Sequence, residues 1–222
     1  MSSVNPRKAP RRYSSALREQ QAAATRRAVL DAAATLFRER GYGATTIEQI
    51  AARAGVSKPT VFTAVGNKQT LLSAVRDVAI AGDDDPISVR QRPAAAAIAD
   101  APDQQRAAEF IAAHLTAVAG RYAPIYEVLR GAAATGEPEL QQLWTTEEQQ
   151  RLIGARHWID VLAAKGRLRD DLNRDTAADI MWLLMAPDNY TRLVHTRRWP
   201  PDHYQRWLTN AIHSLCSSSN DT

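Results

Sequence analysis

The stretch from Ala44 to Val75, ATTIEQIAARAGVSKPTVFTAVGNKQTLLSAV, constrains the fold more tightly than any other part of the chain. Thr45-x-x-Glu48 has the spacing of a capping box and opens a helix whose inward stripe is Ile47, Ile50, Ala51 and Ala54. Gly55 supplies a tight turn, Ser57 caps the next helix, and Pro59 is tolerated in its first turn. Asn67 caps a further helix with Leu71, Leu72, Val75 and Val78 inward. Upstream, Val29, Leu30, Ala33, Leu36 and Phe37 share one helical face, and Gly41 can stop that helix. Two short helices joined by a tight turn present one of them at the surface, the arrangement that enters the major groove of DNA.

The charge distribution points the same way. Residues 1–80 carry 13 Lys and Arg against 5 Asp and Glu, a net of +8, whereas residues 81–222 carry 15 against 19, a net of −4. Such asymmetry fits a phosphate-facing module on a separate body. With 222 residues, 45% of them hydrophobic, the chain can build one or two globular domains. A single cysteine, Cys216, excludes an internal disulfide, fits a reducing cytoplasm, and reads as an inert thiol. No 18-residue apolar run is present, so no membrane partner is expected. The basic N-terminus lacks the apolar segment of a signal peptide.

Residues 1–24 read as a flexible basic arm, 25–80 as the head with its linker helix, 81–216 as a helical body, and the tail 217–222 as disordered. Gly82, Asp83-Asp84-Asp85, Pro86 and Pro93 mark the break between head and body. Beyond it helical spacing resumes and β-alternation is absent. Ile111, Leu115, Val118 and Tyr122 make one stripe, and a shorter segment follows Pro124. A long segment runs from about Pro138 to Ala164, then DTAADIMWLLMA, then two more segments near 188–197 and 201–216. The fold expected is all-α.

In SKPTVFTAV, Val61 and Val65 face the core, and Lys58, Thr60, Thr63 and Ala64 face outward. Lys58 can donate to guanine O6 and N7, while Thr60 or Thr63 can meet thymine methyls or phosphate. Thr46 and Lys68 stand at helix starts, where free N–H groups suit phosphate contacts. Arg11 and Arg12, with Arg7, Lys8 and Arg18, form an arm able to enter a minor groove or merely to release counterions.

The residues Ala33, Leu36, Phe37, Gly41-Tyr42, Ala44-Thr45-Thr46-Ile47, Ile50-Ala51, Ala54-Gly55-Val56-Ser57, Thr60, Phe62, Lys68 and Leu71-Leu72 carry a further signal. Across Arg26–Val75 the chain resembles the N-terminal domain of the tetracycline-repressor (TetR) family of bacterial transcription regulators. That resemblance places DNA contacts on Thr46, Lys58, Pro59, Thr60, Phe62, Thr63, Ala64 and Lys68. Two departures stand out. Most members have tyrosine where this chain has Phe62, and Thr63-Ala64 replaces an aromatic or bulky pair. The C-terminal part carries no comparable motif, though its length and helical pattern fit the family's variable ligand-binding and dimerisation domain.

One recognition helix reads few base pairs, so such proteins pair to place two helices about 34 Å apart. The apolar rows near the C-terminus suit that surface. Trp182, Met185, Tyr190, Leu193, Tyr204, Trp207, Leu208 and Ile212 are the candidate dimer contacts, and aromatics are enriched at interface cores. Between head and interface, Phe110, His114, Tyr122, Tyr126, Trp144, His157 and Trp158 are candidate lining for an effector pocket. The competing reading of both sets is ordinary core.

An enzyme is disfavoured because the chain has no Gly-rich phosphate loop, no G-x-S-x-G, no H-E-x-x-H and no Cys/His metal spacing. Neither metal nor cofactor is expected. The sequence reading is therefore a cytoplasmic homodimeric regulator, a repressor by the family's usual mode. Its partners are a palindromic double-stranded DNA operator and a small-molecule effector. The alternative is a helical dimeric scaffold with a degenerate head.

Overall fold

The computed structural model describes residues 12–85, 87 and 91–216, with side chains from residue 17 onward. Arg11, the side chain of Arg12 and the tail 217–222 lie outside them. Ten α-helices follow in order among the described residues. The head holds α1 (Arg12–Ala44), α2 (Ile47–Ala54), α3 (Lys58–Ala64) and α4 (Lys68–Ala81). The body holds α5 (Pro93–Ala99), α6 (Gln104–Ala133), α7 (Pro138–Lys165), α8 (Arg174–Leu184), the short α9 (Pro187–Tyr190) and α10 (Pro201–His213). A π-helical turn, Thr191–Thr196, continues α9.

Local signals set most of these boundaries. Ser57, Asn67, Asp103 and Asn173 each accept a backbone N–H three residues on, capping α3, α4, α6 and α8. Gly55 closes α2 at φ 69°, a left-handed conformation that glycine adopts without strain. Gly41, at φ 75° and ψ 172°, turns the chain near the end of α1.

Three details differ from the sequence reading. The capping box of α2 is shifted by one residue: Thr46 is the cap and Gln49 its reciprocal partner. Thr45 is fully buried instead, its hydroxyl donating to the carbonyls of Gly41 at 2.8 Å and Leu36 at 3.2 Å. It thereby satisfies carbonyls freed by the turn at Gly41. Helix α1 begins at Arg12, inside the expected arm, because Leu17–Ala24 consists wholly of strong helix formers. Helix α6 runs unbroken through Pro124, whose missing N–H costs one bond inside a helix buried along most of its length.

The apolar core divides into two clusters, and the division does not fall at the Gly82–Pro93 break. One cluster joins α5, the first part of α6, the end of α7, α8 and α10. The other joins α1–α4 to Tyr122, Ile125, Tyr126, Leu129 and Ala132 of α6 and Leu140 of α7. The second half of α6 thus belongs to the core of the head, and α1 and α4 rest directly on it. Polar ties reinforce that seat. Arg121 of α6 donates to the carbonyls of Ala79 and Ile80 at the end of α4. Asp83 and Asp84 of the acidic run pair with Arg92 and Arg26. The Arg92 guanidinium holds the Asp83 carboxyl down to about 2.

Candidate nucleic-acid interface

Helix α3 is anchored by one residue and presents the others. Val61 is fully buried in the head core, and Lys58, Pro59, Phe62 and Thr63 are exposed. Phe62 is 46% exposed, a large apolar ring with no hydroxyl, available for contact with a thymine methyl. Both threonine hydroxyls are engaged locally. Thr60 Oγ1 lies 2.7 Å from Ser57 Oγ, and Thr63 Oγ1 donates to Pro59 O at 3.0 Å. Ala64 is half-buried at the end of the helix, its carbonyl accepting from Arg26 Nη1 at 3.2 Å, so it is a weaker candidate for base contact than its outward assignment implied. Among the side chains of α3 this leaves Lys58 as the candidate donor to a base edge.

That ammonium is not free in the DNA-free chain. Lys58 Nζ donates to the carboxylate of Glu48 on α2, an exposed pair that lowers the pKa of Glu48 chiefly through the hydrogen bond. Lys68 Nζ sits 4.2 Å above the ring of Tyr42 and reaches Gly43 O at 3.4 Å. Partial burial lowers its pKa, against the opposing charge of Glu137. Thr46 is exposed at the start of α2, as a phosphate contact requires. Sequence reasoning missed Glu48, Gln49, Tyr42 and Arg26 here. Gln49 was legible, since Thr46-x-x-Gln49 also has capping-box spacing; Tyr42 and Arg26 carry no periodic signal.

The seven candidate pocket residues do not gather in one place. Phe110, His114, His157 and Trp158 pack at the body core, with His114 and His157 rings 5.8 and 5.0 Å from Trp158. Tyr122, Tyr126 and Trp144 pack instead beside the head core. There Tyr122 donates to Glu147 at 2.5 Å and Tyr126 to Glu148 at 2.9 Å. Arg76 of α4 reaches Glu147 at 3.4 Å; Arg151 bonds both Glu148 oxygens and Trp182 O. Two charged sets thus lie side by side: Arg76, Glu147 and Tyr122 tie α4 to α7 and α6, and Tyr126, Glu148 and Arg151 tie α6 and α7 to the Trp182 carbonyl of α8. Burial raises the pKa of Glu147, against the lowering by Tyr122 and Arg76. None of the seven residues lines the cavity of about 530 Å³ that lies between the end of α1 and the second half of α6.

Burial lowers the pKa of His114, with the charge of Arg121 adding to it. A base depressed in the folded state contributes stability that is full above its ordinary pKa of about 6.5 and is lost as pH falls below that. His114→Gln should therefore show a smaller drop in urea midpoint between pH 7.5 and 5.5 than the parent; an identical drop would remove His114 from the account.

The candidate dimer residues divide as well. Tyr190, Tyr204, Leu208 and Ile212 are buried within the subunit, seating α9 and α10 on α6, so they are corrected from interface to core. Trp182, Met185, Leu193 and Trp207 stay partly exposed, near Leu183, which is 59% exposed. Cys216 is buried, its thiol pushed up to about 11, so it is protonated at neutral pH. No helix among the described residues is long and apolar enough to cross a membrane.

A basic head with a helix-turn-helix, carried on a helical body, is an architecture suited to binding double-stranded DNA. Residues 29–75 match the family model described as bacterial regulatory proteins, tetR family. The chain is 28% identical over 200 residues, 88% of its own length and 91% of the other's, to YdeS of Bacillus subtilis strain 168, an uncharacterized HTH-type transcriptional regulator. Solved structures share the fold. NalD, the secondary repressor of the MexAB-OprM multidrug efflux pump in Pseudomonas aeruginosa, aligns with TM-score 0.63 at 20% identity over 90% of this chain and 100% of its own. SmeT in complex with triclosan aligns with TM-score 0.62 at 18% identity over 89% and 93%. The match to the tetR family model lies in the head, and over the full length the likeness to the solved structures is one of fold.

Proposed function

We propose that this protein is a homodimeric, one-component, cytoplasmic repressor that binds a palindromic operator in double-stranded DNA and leaves it when a small molecule binds. The observation that carries the reading is α3: one buried anchor, Val61, holds it, and Lys58, Phe62 and Thr63 stand outward on a head of net +8. Lys58 reads a base, Thr46 and Lys68 hold phosphates, and the ring of Phe62 supplies apolar contact where a hydroxyl is lacking. The second copy docks on the partly exposed row of Trp182, Leu183, Met185, Leu193 and Trp207. Regulation takes place by binding alone, with no catalytic step.

The effector must favour the non-binding arrangement of the two heads by a few kcal/mol, because equal affinity for both arrangements shifts nothing. Triclosan in SmeT supports a small, largely apolar class. Fluorescence anisotropy on fragments flanking the protein's own gene, titrated against random DNA at about 50–200 mM salt, tests the reading. Saturable binding to one fragment that survives competitor is expected, from a species that light scattering sizes as a dimer. Equal weak binding to every fragment, or none, would favour the scaffold instead.

A further inference from the structure

The cavity between head and body has a consequence for the DNA contacts themselves. One wall is the end of α1, with Phe37 and Tyr42; the other is the face of α6 that carries Pro124 and Val128. Three glycines stand in its lining beside open space. Gly41 turns the chain away at φ 75°, and a Cβ at Gly41, Gly43 or Gly131 would meet nothing within 4 Å. The lining charges are one of each sign. Glu127 pairs with Arg130, which also pairs with Asp188, and Arg38 gives its Nε to Ala34 O at 3.1 Å, so two guanidinium groups stand against two carboxylates around the cavity. An ionised ligand gains nothing from that balance, whereas a flat apolar one covers Tyr42, Pro124 and Val128 without leaving a buried charge unpaired.

The wall is also the seat of a DNA contact. Lys68 rests on the ring of Tyr42 and on Gly43 O, two of the cavity's own residues. The opposite wall, α6, belongs to the core of the head. We infer that this junction is a second small-molecule site, for an uncharged aromatic compound that wedges α1 from α6 and displaces Lys68 from its seat. The site lies apart from the expected effector residues of the body: none of Phe110, His114, Tyr122, Tyr126, Trp144, His157 and Trp158 lines it. Its existence does not depend on the repressor reading; only its effect on DNA does.

The probe is N-phenyl-1-naphthylamine, neutral and fluorescent in apolar surroundings, compared with the anionic anilinonaphthalene sulfonate. Gly131→Leu fills the cavity from α6, and because leucine is the better helix former the variant should fold at least as well as the parent, which circular dichroism checks. The neutral probe should bind the parent saturably and more tightly than the sulfonate, and Gly131→Leu should lose at least tenfold in affinity. Binding that ignores Gly131→Leu, or that follows Leu183→Ser on the exposed patch of α8, would overturn the site. Tighter binding of the sulfonate would overturn the chemical class.

On a fragment that the parent binds, saturating neutral probe should weaken DNA affinity in the parent and not in Gly131→Leu. An unchanged DNA affinity with the site occupied would overturn the coupling through Lys68. Failure of every fragment to bind DNA would instead count against the repressor reading, while the probe titration still decides the site.

Discussion

Replacing Lys58 and Lys68 together by alanine is expected to abolish useful operator binding while leaving the fold intact. Both side chains lie at the surface of the head, and neither fills the core. A lysine that donates to a base edge is worth about 1–3 kcal/mol, roughly five- to 150-fold in affinity. In a dimer that loss is taken twice. On the proposed reading Lys68 contacts phosphate, so its removal should act alike on all sequences and reduce the slope of log affinity against log salt by about 0.9 per head. The two single variants separate these roles: Lys58→Ala should relax sequence preference, and Lys68→Ala should flatten the salt dependence.

Glu48 gives this prediction an independent arm. The carboxylate holds Lys58 in the free chain and would face the phosphates in the complex. Glu48→Gln should therefore strengthen binding to all DNA. If the double variant binds as tightly as the parent at every salt concentration, α3 is not the reading element and the head is only a scaffold.

Arg76→Met on α4 should be strongly destabilising. Glu147 is 3% exposed, and its carboxylate keeps two partners, the Tyr122 hydroxyl at 2.5 Å and the Arg76 guanidinium at 3.4 Å. Removing one member of a buried ion pair strands the other in a poor solvent, which costs about 3–5 kcal/mol. For a chain of this size that is roughly a 10 °C fall in Tm, compared at fixed protein concentration.

The pH dependence follows from the sign of the Glu147 shift. Burial raises this carboxyl, so its contribution is full below the ordinary glutamate range and is lost as pH rises through the raised value. Without Arg76 the shift is larger still, so the deficit of Arg76→Met should shrink on going from pH 8 to pH 5. Arg76→Met with Glu147→Gln should recover most of the loss, since glutamine still accepts from Tyr122 and buries no charge. A single variant within 1 kcal/mol of the parent, by chemical denaturation, would mean that the network carries no such weight.

The parts of this protein legible in its sequence are those set by near neighbours. Ser57, Asn67 and Gly55 act within one turn of themselves, so their caps and turn could be read off directly. The same locality explains the error at Thr45 and Thr46. Both have a capping partner three residues on, and only the packing of Thr45 against Leu36 and Gly41 chooses between them. Helical periodicity gave the length of α7 closely but stopped α6 at Pro124, because the surroundings that offset a lost hydrogen bond are tertiary.

Apolar content marks a residue for burial without saying against what. Tyr204, Leu208 and Ile212 read equally well as interface and as core until α6 is seen lying across them. Aromatic content likewise marked seven residues for one pocket, and they lie in two clusters. The sequence by itself determined the all-helical class, the helix-turn-helix and its outward side chains, because backbone hydrogen bonding and capping act over three or four residues. Tertiary structure alone decided that Lys58 is held by Glu48, that Lys68 rests on Tyr42, and that Arg76 of α4 reaches the buried Glu147 of α7. Those pairings join residues ten or more positions apart, and no local energy distinguishes the chosen partner from the others.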